Sequence, residues 1–231
     1  MVLRLSGNPH LFKPDLFMKT ETDQGPLLPV NLCVLAGGLS RRMGATNKLL
    51  LSYQGQPMVR HVVSQALVAQ CGPVRVITGH DAGAIQEALY GLPVAFVHNP
   101  DYAEGQAASV RVAASIDPQA ALMVLLADMP RVDVAVILAL VLHYRQSVAA
   151  LGADADHVVV RPQNKGKPGN PVLWGPAWLP RLAQLQGDEG ARVLLSQSTV
   201  PVSFVSVDTE GIFADIDQPS DLPAFDMRLP C

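Results

Sequence analysis

Cysteine is scarce in this chain, and the few present are badly placed for chemistry. Cys33, Cys71 and Cys231 are the only three in 231 residues. They show no C-x-x-C spacing, so neither a disulfide framework nor a cysteine-ligated zinc site is expected, and a reducing cytoplasm suits them. Charge is sparse as well: 16% of residues are Asp, Glu, Lys or Arg, with a net charge of -3. That balance offers no basic surface, and a nucleic-acid partner is not expected. Long hydrophobic runs are also missing. The longest, 120–127 and 132–142, are broken by Asp128-Met129-Pro130 and by Asp133, short of the ~18 residues a membrane span needs. The apolar residues 1–5 are too few for a signal peptide. His10, His61, His80, His98, His143 and His157 are scattered, and each reads as structural or solvated. A hydrophobic share of 49% remains, which describes a globular chain with a substantial core, long enough for one large domain.

Residues 1–30 carry Pro14, Pro26 and Pro29 with little periodicity, and read as a flexible N-terminal extension. Residues 31–231 read as a single domain. Strands are expected at 31–36, 74–78, 94–97 and 121–127, alternating with helices at 58–70, 82–90, 107–114 and 132–144. That alternation predicts an α/β fold with a mainly parallel sheet and helices on both faces. Beyond 150 the pattern loosens. Strands at 157–161 and 172–174 bracket a polar Lys/Gly/Pro loop and suggest a small excursion from the main sheet, a lid for a second substrate. Helices are expected at 178–185 and 191–196, a strand at 200–207 and a terminal helix at 221–227.

The stretch Val34-Leu35-Ala36-Gly37-Gly38-Leu39-Ser40-Arg41-Arg42-Met43-Gly44-Ala45-Thr46-Asn47-Lys48 stands apart from ordinary turns. A buried strand breaks into glycines that let backbone N–H groups approach an anion closely. Cations follow at 41, 42 and 48. The combination suits a polyphosphate. It is not a Walker loop, since Gly44 is followed by Ala45 and the lysine is displaced to 48. Nor does its spacing match G-x-G-x-x-G. The backbone from Leu35, Ala36, Gly37 and Gly38, with Arg42 and Lys48, is assigned to a nucleotide triphosphate. Arg41 reads equally as a solvated side chain.

In an open parallel sheet, ligands bind beyond the carboxyl ends of the strands, and three further loops there carry unusual residues. Asp128 directly follows the most apolar strand. It reads either as the N-cap of the next helix or as a ligand to a hard divalent cation; beside a phosphate loop, Mg²⁺ is favoured. Asp215 and Asp217 share a face if extended, and Asp217 is preferred to complete that metal site, with Asp221 assigned to the start of the terminal helix. In 99–111, Gly105 precedes a helix with Ser109 on its first turns, suiting either helix capping or contact with a base or ribose. Gly79 follows the strand 74–78 and is a candidate for lying under the base.

The glycine loop resembles the signature L-A-[AG]-G-x-S-x-R-M-G-x-x-x-K of the MobA-like nucleotidyltransferases. With Thr78-Gly79, 99–111, Ala127-Asp128-Met129-Pro130, Gly169-Asn170-Pro171-Val172-Leu173, Gly187-Asp188-Glu189-Gly190-Ala191-Arg192 and 215–222 in order, the chain looks like the molybdenum cofactor cytidylyltransferases of that group. The resemblance implies a Rossmann-like, glycosyltransferase-A type fold and Mg²⁺-dependent transfer of CMP from CTP to the phosphate of molybdopterin, with release of pyrophosphate. It places Lys48, Arg42 and Asp128 in catalysis, and Asp128 and Asp217 on the metal. Leu35, Ala36, Gly37, Gly38, Arg42, Lys48, Gly79 and Ser109 fall at nucleotide positions, and Asn170 and Asp188 on the acceptor side. A receiving molybdoenzyme or its chaperone is the implied protein partner. Two positions depart from the pattern. Gly37 stands where the cytidylyl enzymes usually have alanine, and L-A-G-G is commoner among guanylyltransferases, so GTP stays open as the donor. Ala127 stands where many relatives have glycine. Transfer to a sugar or polyol phosphate shares the loop but leaves the Gly-Asn-Pro and Gly-Asp-x-Gly-Ala-Arg segments unexplained. A silent nucleotide sensor or cofactor chaperone is the alternative outside enzymes.

Overall fold

The apolar run at the head of the glycine loop forms the central strand β1, Val30–Ala36, in a computed structural model describing residues 30–44, 46–151, 156–187, 190–196 and 200–227. Residues 1–29 of the expected extension, and Asp188, lie outside the described residues. Apart from Asn31, which hydrogen-bonds Arg75 and Asp117, the strand is apolar because both faces are covered. Leu32, Val34 and Ala36 join one core, while Cys33 joins a second core on the opposite face. Parallel strands buried on both sides read as continuous hydrophobic runs for this reason.

A short hairpin, β2 (Ser52–Tyr53) and β3 (Gln56–Pro57), leads into helix α1, Met58–Val68. Met58, Val59, Val62, Val63 and Ala66 form its buried stripe, and the helix gives out where Gln70 turns left-handed at φ 49°. Then follow β4 (Val74–Thr78), α2 (Ala82–Ala88), β5 (Ala95–His98), α3 (Gln106–Ala114), β6 (Ala121–Leu126) and α4 (Val134–Leu151). The last segments are β7 (Val159–Asn164), β8 (Lys167–Pro168), β9 (Val172–Trp174), α5 (Leu179–Leu182), α6 (Arg192–Leu195) and β10 (Val202–Ser206). The terminal helix expected at 221–227 is a 3-10 helix, Pro219–Phe225.

The main sheet has the order β10-β7-β9-β6-β1-β4-β5, with β8 folded back on β7. Strands β6, β1, β4 and β5 run parallel, and so do β7 and β10. Among the described strands of this sheet, β9 and β8 are reversed. Residues from α1, α2 and α4 pack into one core, and those from α3, α5 and α6 into the other, so helices cover both faces. Each fully buried Leu, Ile or Val in these layers contributes about 1.5–3 kcal/mol.

The segments 157–161 and 172–174 depart from expectation. They are not an excursion: β9 inserts antiparallel between β6 and β7 in the main sheet, with Met123 opposite Leu173 and Val160 opposite Leu173. Burial explains it, since Trp174 and Leu173 are fully enclosed and a peripheral flap has nothing to enclose them. Helix α4 runs to Leu151, seven residues past the expected end at 144. By length and hydropathy it matches a membrane span, but Val136, Ile137, Leu140, Val141 and Tyr144 are buried in the core.

Candidate active site

Register brings the informative loops together. Ala36 lies opposite Thr78, and Leu35 opposite Leu126, so Gly37, Gly79 and Ala127 leave the sheet side by side at its carboxyl edge. Gly37 and Gly79 are closely packed. A Cβ on Gly37 falls 3.1 Å from the Gly79 nitrogen, and one on Gly79 falls 2.4 Å from the Tyr102 Cβ. Gly38 is different: it is exposed, with no atom of the described residues within 4 Å of a built Cβ. Packing among the described residues therefore explains Gly37 and Gly79 but not Gly38.

Beyond Gly38 the loop folds tightly onto itself. Ser40 adopts the left-handed conformation, its carbonyl accepts from the Met43 N–H at 2.8 Å, and its hydroxyl lies 3.4 Å from the Lys48 N–H. Buried Met43 anchors the turn, and exposed Arg41 and Arg42 project from it. Asn47 caps the next turn by accepting from the Leu49 N–H at 3.1 Å, and donates to Asp81 at 3.2 Å.

This folding drives the buried Lys48 to the centre of an acidic pair. Its Nζ donates to Asp128 Oδ2 at 2.8 Å and to the Ile216 carbonyl at 2.7 Å, with Asp217 Oδ1 at 3.5 Å. Arg42 pairs with the other oxygen of Asp217. Asp128 and Asp217 are themselves held together, because the Ile216 N–H donates to the Asp128 carbonyl at 3.0 Å. Asp221 completes the clamp by accepting from the Asp217 and Gln218 N–H groups at 2.9 Å each.

The N-cap alternative for Asp128 does not hold. Asp133 caps α4, accepting from the Val136 N–H at 3.0 Å. Asp215 is exposed, whereas Asp217 faces the cluster. Asp128, Asp217 and the Ile216 carbonyl form an all-oxygen donor set, the chemistry of a hard divalent cation. Among the described residues no group of three or more His, Cys, Asp or Glu gathers into a metal cage. Two carboxylates with coordination left for phosphate and water fit Mg²⁺, which is commonly held in that way.

The remaining predicted residues are dispersed around this centre. Leu35 is half-buried and Ala36 buried at the end of β1. Ser109 is buried beside Asn99, whose amide donates to its hydroxyl at 3.2 Å. Asn170 lies after a buried Gly169 pressed against Ile212, and its N–H donates to the Ile212 carbonyl at 2.9 Å. That contact ties the Gly-Asn-Pro loop to the segment leading to Asp217. Sequence reasoning missed the Ile216 carbonyl, the Asn47–Asp81 link and the Tyr102 side chain packed against Gly79. For Asp221 the spacing from Gln218 is a capping signal, and the reciprocal hydrogen bonds are present.

Comparison with known proteins gives the family and the fold. Nicotine blue oxidoreductase of Paenarthrobacter nicotinovorans is 28% identical over 190 residues, covering 80% of this chain and 90% of that protein. The structure of Rv0371c from Mycobacterium tuberculosis in complex with manganese superposes with a TM-score of 0.69 at 20% identity, over 86% of this chain and 97% of that one. Molybdopterin-guanine dinucleotide biosynthesis protein A of Archaeoglobus fulgidus gives a TM-score of 0.60 at 20% identity, over 84% and 96%. The MobA-like NTP transferase domain matches residues 32–202, and the chain belongs to that family of nucleotidyltransferases.

Proposed function

We propose that the protein transfers the CMP moiety of CTP to the terminal phosphate of molybdopterin, releasing pyrophosphate. The observation that carries this reading is the convergence of Lys48, Arg42, Asp128 and Asp217 beside an open glycine loop. A phosphate monoester is largely ionised near neutrality, with a second pKa of about 6, so attack on the α-phosphorus needs no general base. The difficulty is bringing two anions together. The N–H groups of the glycine loop cradle the triphosphate. Lys48 and Arg42 neutralise charge on its oxygens and hold the α-phosphate for in-line attack. Asp128 and Asp217 hold Mg²⁺, which supplies Lewis-acid charge neutralisation when bound. A fold relative in complex with manganese supports a divalent cation here. By the family resemblance, Gly79 and Ser109 are assigned to the nucleoside, and Asn170 and Asp188 to the pterin acceptor.

CTP is favoured because the segments Lys167–Trp174 and Gly187–Arg192 resemble the cytidylyl branch. GTP is the second reading, favoured by Gly37. An alanine there meets the Gly79 nitrogen at 3.1 Å, so residue size at 37 and the position of Gly79 are linked. The buried free thiols of Cys33 and Cys71 fit a cytoplasmic setting, and a receiving molybdoenzyme or its chaperone is the proposed partner. The test is Asp128→Ala assayed with CTP, Mg²⁺ and molybdopterin. Transfer should be abolished with the thermal transition kept, and unchanged transfer would remove the metal assignment. Oxidation-reduction in place of transfer by the wild type would instead align the chain with the activity named for its P. nicotinovorans relative.

A further inference from the structure

The carboxylates assigned to the metal already have a cation between them. Lys48 Nζ lies 2.8 Å from Asp128, 3.5 Å from Asp217 and 2.7 Å from the Ile216 carbonyl. An ammonium uses three donors and no acceptor, and these three oxygens satisfy it fully. Arg42 takes the remaining oxygen of Asp217. Two acidic and two basic side chains make the cluster formally neutral without any ligand. Lys48 is also 9% exposed, so a second cation cannot simply be added beside it. Like charges a few ångströms apart, in a partly desolvated site, repel strongly.

From these contacts we infer that Lys48 is a resident surrogate for the divalent cation, and that the metal enters by displacing it. The inference rests on the metal assignment in the proposed function and adds an order of events. A bare divalent cation must evict the Lys48 ammonium into a position with no counter-charge. When the cation arrives with a triphosphate, the phosphate oxygens receive the evicted Lys48 and Arg42. Binding of metal and nucleotide is then coupled through one side chain, and each increases affinity for the other. Lys48 thereby shields the two carboxylates from free divalent cations.

The experiment uses the full chain and Mn²⁺ alone, without nucleotide or acceptor, following free Mn²⁺ by electron paramagnetic resonance. Lys48→Met should bind Mn²⁺ about tenfold or more tightly than the wild type, because the competing charge is gone. Equal or weaker binding by a folded variant would overturn the inference. Absence of Mn²⁺ binding in both proteins would overturn the metal assignment of the proposed function as well, so the two failures are distinguishable. Lys48→Met leaves two facing carboxylates and can compromise folding, so a second measurement uses the wild type only. Acylation of Lys48 by acetic anhydride, read by mass spectrometry of its peptide, should accelerate severalfold at saturating Mn²⁺ as the amine leaves its oxygen cage. An unchanged rate under Mn²⁺ would mean that the metal binds without moving Lys48, and the displacement would be wrong.

Discussion

Replacing Gly38 with alanine separates what the glycine loop does for the fold from what it does for a ligand. A Cβ at 38 has no atom of the described residues within 4 Å, and the residue is exposed without a left-handed backbone. No contact is strained, and alanine restricts the unfolded chain, so stability should stay within about 0.5 kcal/mol of wild type or rise slightly. If the Gly38 N–H lies against a phosphate, the added methyl pushes that anion away by roughly an ångström. A displacement of that size costs about 10- to 100-fold in affinity or rate, or about 1.4–2.7 kcal/mol. Gly79→Ala differs in that it should lose stability as well. Its Cβ falls 2.4 Å from the Tyr102 Cβ and 2.8 Å from the Gly37 carbonyl oxygen, and overpacking of this kind costs about 1–3 kcal/mol. Urea denaturation and titration calorimetry with CTP and Mg²⁺ measure both quantities. A Gly38→Ala protein of normal stability that binds CTP as tightly as wild type would refute the phosphate-loop reasoning.

Three further outcomes follow from the same geometry. Tyr144 has a buried hydroxyl with no hydrogen-bond partner among the described residues, and burial with nearby Asp156 pushes its pKa up from 10.0 to about 12. Tyr144→Phe should therefore stabilise by about 1 kcal/mol at neutral pH. A raised pKa contributes stability that is complete below pH 10 and disappears as pH rises toward 12, so the variant should also lose less stability over that interval; denaturation at pH 7 and 11 checks both. Burial lowers the His61 pKa below 6.5, partly offset by its hydrogen bond to the Pro130 backbone. That contribution is present above pH 6.5 and lost as pH falls through the depressed value, so His61→Gln should flatten the acid limb of a stability–pH curve. Asp221→Ala removes the acceptor for the Asp217 and Gln218 N–H groups. It should cost about 1 kcal/mol of stability and raise the metal concentration needed for half-maximal rate more than it lowers kcat, with Asp221→Asn restoring part of the loss.

Much of the fold was legible wherever a single periodicity dominated. Strands β4 and β9 begin and end where the apolar runs do, at Val74–Thr78 and Val172–Trp174. The end of α4 was harder to place because Arg145, Gln146 and Ser147 interrupt the apolar pattern after the core has been reached, while the backbone continues helically to Leu151. The placement of β9 was not legible, because pairing with β6 joins residues about fifty positions apart and a three-residue strand carries no directional signal. The site divides in the same way. Glycine spacing and cations mark the loop locally, whereas the choice between Asp215 and Asp217 depends on the Ile216 N–H meeting the Asp128 carbonyl. The resting partnership of Lys48 with Asp128 spans 80 positions, and no local pattern announces it.

The central claim is tested most directly by incubating the wild-type protein with molybdopterin, Mg²⁺ and each of the four α-³²P-labelled ribonucleoside triphosphates in turn. The account predicts label from CTP in a pterin dinucleotide, with pyrophosphate released in equal amount. Label transferred from GTP alone, or from none of the four with folded protein, would contradict it.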